Sequence, residues 1–492
     1  MDLDTRLKRA ALSTALSYIG KNPEKNAIKL LDWVDAAAGD GEHSLRYQRA
    51  AFRKVLEDPG SNMYQLIMNV FHEIDSDVLK AMFENFIINA NVIGTPKQAE
   101  LREKYGCNMP WAILMDPTTA CNLRCIGCWA ADYGKALSMS YEELSDIIRQ
   151  GKELGIYMYL FSGGEPLTRK KDIIKLCEEH SDCQFLAFTN GTLIDSDFAR
   201  DMLRVKNFVP AISVEGFEAA TDARRGEGTY RAVMSAMATL KAYRLPFGVS
   251  CCYTSQNIDS LSSEEFIDHI INCGAKFAWF FHYMPVGVDA VPELLPSPEQ
   301  REHMYHTLRE YRRTKELFLI DFQNDGEYVG GCVAGGRSYL HISAGGDIEP
   351  CAFIHYSDSN IREKTILEAL RSPLFMAYHD NQPFNCNHLR PCPMLENPEK
   401  LASMVKQSGA HSTDMQSPED AEALKRKCTP YAEAWAPRGR QALEGQPRIR
   451  KAPGPPPRGG PGDGKQDPRS FERGSWLCYF ATASFRALPA LN

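Results

Sequence analysis

Three cysteines, Cys121, Cys125 and Cys128, fall within eight residues in the run Cys-Asn-Leu-Arg-Cys-Ile-Gly-Cys. Thiolates so spaced can cover one face of a small metal site. They cannot complete a structural zinc site, which takes four protein ligands, and no local histidine follows. On a cubane iron–sulfur cluster, whose usual ligands are thiolates, three of them leave one iron open to a small molecule. A second loop points to the same kind of chemistry. In Ser162-Gly163-Gly164-Glu165-Pro166 the paired glycines allow the backbone to approach a ligand closely, and the glutamate can accept hydrogen bonds from an ammonium group.

Both loops need a frame that brings them to one place. From 108 to 325 the chain alternates short apolar runs with helical patterns. Strands are expected at Trp111–Met115, Met158–Phe161, Gln184–Thr189, Val209–Val214, Phe247–Cys252 and Phe277–Tyr283. Ser140 with Glu143 forms a capping box, and Ser297-Pro298-Glu299-Gln300 opens another helix with Pro at its first position. Six βα units with right-handed crossovers predict an α/β fold, a parallel sheet curled into a full or partial (β/α)6 barrel. Chemistry in such folds sits at the C-terminal ends of the strands, where both loops fall.

Residues 1–107 read as a helical region. Met63, Leu66, Ile67, Val70, Phe71 and Ile74 repeat every three or four residues, with a break at Asp75-Ser76-Asp77. The first segment (Leu3, Leu7, Ala11, Leu12, Leu16, Ile19) is amphipathic and would suit a membrane surface. Residues 326–428 form a Gly-turn-rich segment with a second cysteine group, ending in a helix announced by Ser417 and Pro418. From 429 to 492 prolines such as Pro453, Pro455, Pro456 and Pro457 accumulate and periodicity vanishes, which predicts disorder.

The 492 residues carry a net charge of -7 and are 43% hydrophobic, so a broad nucleic-acid-binding surface is not expected. No run is long and apolar enough for a membrane helix, and the charged start (Asp2, Asp4, Arg6) is not a secretory leader. Fifteen cysteines without a leader are expected in a reducing, cytoplasmic setting, serving metal or redox chemistry.

Residues 110–290 resemble the radical SAM superfamily, on the strength of Cys121, Cys125 and Cys128 and of Gly163 to Pro166. The resemblance implies a [4Fe-4S] cluster on the three cysteines. It also implies S-adenosylmethionine (SAM) chelated to the fourth iron, with Gly163, Gly164, Glu165 and Pro166 at its amino group. Weaker family-like elements follow. Thr189 and Asn190 would contact the nucleoside, and Ser213 and Glu215 would approach the ribose. Arg225, in Asp222-Ala-Arg-Arg225-Gly226-x-Gly228, would neutralise the SAM carboxylate, and Met284 to Gly287 would border the adenine. Gly127 departs from the family, which usually has an aromatic residue there.

Cys332, Cys351, Cys386, Cys392 and Cys428 resemble a reduced form of the SPASM extension found in many radical SAM enzymes. The likelier ligand set for one auxiliary cluster is Cys332, Cys351, Cys392 and Cys428, with Cys386 as the alternative and zinc as a competing occupant. The resemblance implies an oxidoreductase-like radical enzyme. A low-potential donor, flavodoxin or ferredoxin, would supply an electron, and SAM would be cleaved to a 5′-deoxyadenosyl radical. That radical would take hydrogen from a peptide or bulky metabolite. A lipid or tetrapyrrole substrate is the alternative, and a non-catalytic iron–sulfur carrier or scaffold is the alternative of another class.

Overall fold

A computed structural model describes residues 22–38, 46–130, 137–287, 290–414 and 417–444. The six expected strands are all present: β1 Ala112–Met115, β2 Met158–Phe161, β3 Gln184–Thr189, β4 Phe208–Ser213, β5 Gly248–Tyr253 and β6 Phe277–His282. They pair in parallel, in sequence order, with helices between them. The sheet is wider than the six units read from the sequence. β7 (Phe318–Asp321) adds in parallel beside β6. β8 (Tyr339–Ile342) adds in parallel on the other side of β1, and β9 (Ile348–Glu349) closes that edge antiparallel to β8. β8 has only four residues, next to glycine-rich turns, so it reads as a hairpin fragment until β1 is there to pair with it. The segment after 325 thus shares the main sheet.

Alternate residues along the strands face two cores, as the pleat requires. Ile113, Met115, Tyr159, Phe161, Phe185 and Phe280 face the flanking helices. Leu114, Leu160, Leu186, Trp279 and Ile320 face the concave side. The N-terminal helices fill that side at the strand starts. Asn62–Glu73 inserts Met63 and Leu66, and Phe86 meets Trp111 edge-on at 5.6 Å. The break expected at residues 75–77 is a helix junction, where the Asp75 carboxylate accepts from the N–H groups of Asp77 and Val78. The amphipathic segment at residues 3–19 lies outside the described residues.

The expectation of disorder from 429 onward is corrected for residues 429–444, and the remainder of that segment lies outside the described residues. A helix runs Ala421–Glu444, starting three residues beyond Pro418 and passing through Pro430 and Pro437. Cys428, Tyr431 and Trp435 form its buried stripe. Trp435 donates from Nε1 to the Leu389 carbonyl at 2.9 Å, and the Arg301 guanidinium lies 4.3 Å from its ring centroid. That packing outweighs the loss of helix hydrogen bonds at the two prolines. Among the described residues no helix is long and apolar enough to cross a membrane.

Candidate active site

The loop after β2 lies directly on the segment that leads from β1 into Cys121. Gly164 donates to the Thr118 carbonyl (3.0 Å) and Glu165 to that of Ala120 (2.8 Å). A Cβ on Gly164 would stand 2.3 Å from the Ala120 oxygen, and one on Gly163, at φ +97°, 2.6 Å from that of Thr118. Here the close approach for which glycine is needed is between two loops of the chain itself. Glu165 then ties the pair to β3. Its carboxylate accepts from Leu167 N–H (2.9 Å), Thr189 Oγ1 (2.7 Å) and Asn190 N–H (2.7 Å). Burial pushes its carboxyl up, and those three donors work against that. Asn190 reaches back through Nδ2 to Asn122 Oδ1 at 2.8 Å, inside the cysteine loop.

The loop's other flank is held by two arginines. Ile126 N–H donates to the Arg224 carbonyl at 2.9 Å. Fully buried Glu215, two residues past Ser213 at the end of β4, accepts from Arg224 and Arg225, both at 2.6 Å. Burial opposes its charge, but the two guanidiniums outweigh burial and hold its carboxyl below the usual range. Arg225 Nη1 lies 3.9 Å from Cys125 Sγ. The structure therefore occupies Glu215 with the arginines and turns Arg225 toward a cysteine of the loop.

Burial pushes the Cys121 and Cys128 thiols up, and their neighbouring thiols push the same way, so the three lie within electrostatic reach of one another. Cys121 Sγ accepts from Leu123 N–H at 3.4 Å. The donor set suits a thiolate-bound cluster: three thiols share one loop, a backbone N–H meets one, and Arg224 and Arg225 supply positive charge. Among the described residues no three His, Cys, Asp or Glu side chains are gathered for a single metal ion.

Sequence reasoning missed several residues here. Gly127, at φ +63°, leaves room for Tyr283, whose hydroxyl lies 2.7 Å from where a Cβ would stand. The aromatic ring absent from the motif is supplied from beyond β6. Cys252, placed in the sequence only as the end of a strand, has its thiol pushed up to about 11 by burial against the pull of Arg224, and Cys128 adds to the rise. Buried His341 on β8 sits between Asp116 Oδ2 (3.0 Å) and Glu349 Oε2 (2.6 Å). Burial opposes its charge, but the two carboxylates push it up to about 10. Asp116 follows β1 directly and also accepts from Ser162 Oγ at 2.7 Å.

Aromatic side chains line the concave side between the two cysteine groups. Phe188 meets Phe281 at 5.6 Å, Phe281 meets Phe322 at 5.2 Å and Phe353 at 6.3 Å, and Phe353 meets Trp129 at 5.8 Å. All five are partly exposed. Of the second cysteine group, Cys332, Cys351 and Cys392 lie within electrostatic reach of one another. Cys428, buried on the last helix, lies in one hydrophobic core with Cys351, and Cys332 and Cys392 pack against it. Cys386 is exposed.

A parallel, helix-flanked sheet with three thiols on the loop after its first strand and a Gly-Gly-Glu-Pro loop against them defines a class of radical enzyme. The radical SAM family model matches residues 115–270. The chain is 24% identical over 291 residues to the AdoMet-dependent heme synthase of Methanosarcina barkeri, covering 53% of this chain and 82% of that one. It is 26% identical over 290 residues to the PqqA peptide cyclase of Streptomyces rochei, covering 56% and 77%. The structure of Streptococcus suis SuiB bound to the precursor peptide SuiA superposes with a TM-score of 0.52 at 19% identity, covering 64% of this chain and 78% of that one, a likeness of fold. Residues 115–270 match the radical SAM superfamily, and the chain is an enzyme whose relatives include a heme synthase and a peptide cyclase.

Proposed function

We propose that Cys121, Cys125 and Cys128 hold a [4Fe-4S] cluster at which SAM binds, and that the enzyme abstracts hydrogen from a peptide or bulky metabolite. When bound, the cluster and SAM supply the one-electron cleavage that yields a 5′-deoxyadenosyl radical. The chain's own residues do the positioning. Gly163, Gly164, Glu165 and Pro166 fix the strand-end loop against the cysteine loop, and Thr189 and Asn190 fix Glu165. Glu215 holds Arg225 beside Cys125, where its charge offsets that of the thiolates. The observation that carries this reading is the direct stacking of the Gly163–Glu165 backbone on residues 118–120, which sets both loops as one unit.

In this reading Ser213 lines the SAM side of the β4 end, and the 326–428 segment is a SPASM-like extension whose thiols hold an auxiliary cluster. A low-potential donor of the flavodoxin or ferredoxin type supplies the electron in a cytoplasmic setting. The aromatic lining of the concave side favours an uncharged, apolar reacting group, so a lipid or tetrapyrrole substrate is the second reading. Apolar walls there also exclude water from a reactive site.

The test is anaerobic reconstitution with iron and sulfide, then SAM and dithionite, with 5′-deoxyadenosine assayed beside Cys125→Ala. Deoxyadenosine from the parent and none from the variant is expected. None from a parent shown to hold iron would leave the carrier or scaffold reading standing instead.

A further inference from the structure

The helix Ala421–Glu444 is far from the first cysteine loop in sequence, yet two of its side chains hold the end of β6. Lys427 and Tyr431, four residues apart, share one helix face. Lys427 donates from Nζ to the carbonyls of Gly287 at 2.7 Å and Pro285 at 3.3 Å, and its third partner is Glu419 Oε1 at 2.7 Å. An ammonium has three N–H donors and no acceptor, so these three oxygens use its full capacity. An apolar side chain of the same length could serve none of them.

Tyr431 holds the last residue of the strand. Its hydroxyl lies 2.6 Å from His282 Nε2, and His282 Nδ1 lies 2.6 Å from the Tyr283 carbonyl. A carbonyl can only accept, so Nδ1 carries the proton. Burial and the nearby Arg301 charge hold the buried imidazole neutral, well below its usual range, so Nε2 accepts from the Tyr431 hydroxyl. Arg301 Nη1 donates to that hydroxyl oxygen in turn, at 3.5 Å. The order continues toward the cysteines. Tyr283 is buried, its hydroxyl accepts from Val291 N–H at 2.9 Å, and its ring fills the space that Gly127 leaves open. A path of contacts therefore runs from the last helix through His282 and Tyr283 to the residue before Cys128.

We propose that Lys427 and Tyr431 are positioning residues for SAM: the last helix holds residues 282–287, and through Tyr283 the first cysteine loop, in the shape that binds it. The proposal rests on the reading that SAM binds at that loop. The two residues act through β6 and the turn after it, at backbone carbonyls and one imidazole. A third contact of the same helix serves as an internal control. Arg438 pairs with Glu299 at 2.6 Å and Glu302 at 2.7 Å, both on the helix Pro298–Thr314, and so docks the helix away from the β6 end.

The full chain, reconstituted anaerobically with iron and sulfide, is assayed for 5′-deoxyadenosine with dithionite over a range of SAM concentrations. Lys427→Met should keep the parent's iron content and raise the KM for SAM about tenfold, the factor that one lost charge-assisted hydrogen bond corresponds to. Its kcat should change little, since the loss falls on binding. Tyr431→Phe keeps the ring in the core and removes only the hydroxyl; it should raise the same KM about threefold. Arg438→Ala should lower the thermal midpoint and leave the KM for SAM at the parent's value. A parental KM in either of the first two variants would overturn that residue's assignment. An equal rise in Arg438→Ala would reduce the helix to general support and overturn both. Should Lys427→Met fail to fold, Tyr431→Phe decides. No deoxyadenosine from the parent would instead overturn the SAM reading, and this proposal with it.

Discussion

The two thiol groups of this chain are built on opposite electrostatic plans. The first lies on a loop with Cys121 exposed, and two arginines anchored on buried Glu215 bring positive charge to it. The second has no exposed member among Cys332, Cys351 and Cys392, and a phenol hydroxyl and backbone N–H groups face its thiols. A cationic collar stabilises thiolates that remain near water. Neutral donors suit sulfur in a drier place, where an unpaired charge would be expensive. The fold thus separates a thiol group with an exposed member from one turned toward the interior.

The strongest way to break this contrast is to remove the anchor of the collar. Glu215→Ala leaves two buried guanidiniums without their carboxylate, and removing one partner of a buried pair costs about 3–5 kcal/mol. The urea midpoint should fall accordingly; an unchanged midpoint would show that the arginines do not depend on Glu215. Gly164→Ala is milder. Its methyl must displace the Ala120 carbonyl, at about 1–3 kcal/mol. Iron bound by the first thiol group should drop while that bound by the second persists, and equal loss from both would dissolve the distinction. A further test is a pH dependence. The folded state raises His341 from 6.5 to about 10, so its contribution is fully present below pH 6.5 and is lost as pH rises through 10. The stability gap between the parent and His341→Gln should therefore narrow across that window, and a constant gap would place His341 outside the titrating network.

The first thiol group was legible because its chemistry is local. Eight residues hold all three cysteines, and the Gly-Gly-Glu-Pro loop follows one βα unit later. All six strands before residue 300 were legible too, as apolar runs separated by helical patterns. What escaped depends on partners far away in the chain. β8 is four residues long and becomes a strand only by pairing with β1. Cys252 differs from its neighbour Cys251 only in which side of β5 it faces. Pro430 and Pro437 argued against the last helix, yet Trp435 lies between them, anchored on Arg301 and Leu389. Gly127 looked like a gap in the motif because Tyr283 lies more than a hundred residues downstream.

The seat of β1 between β2 and β8 has a consequence for biogenesis. During synthesis Ala112 leaves the ribosome long before Tyr339, its neighbour in the finished sheet. Until then one edge of β1 is bare, and Asp116, at the root of the first cysteine loop, has not met His341. Completion of that loop's support is thereby timed to follow translation of nearly the whole sheet, and a nascent chain halted near residue 325 would present an open edge to chaperones or to other copies of itself.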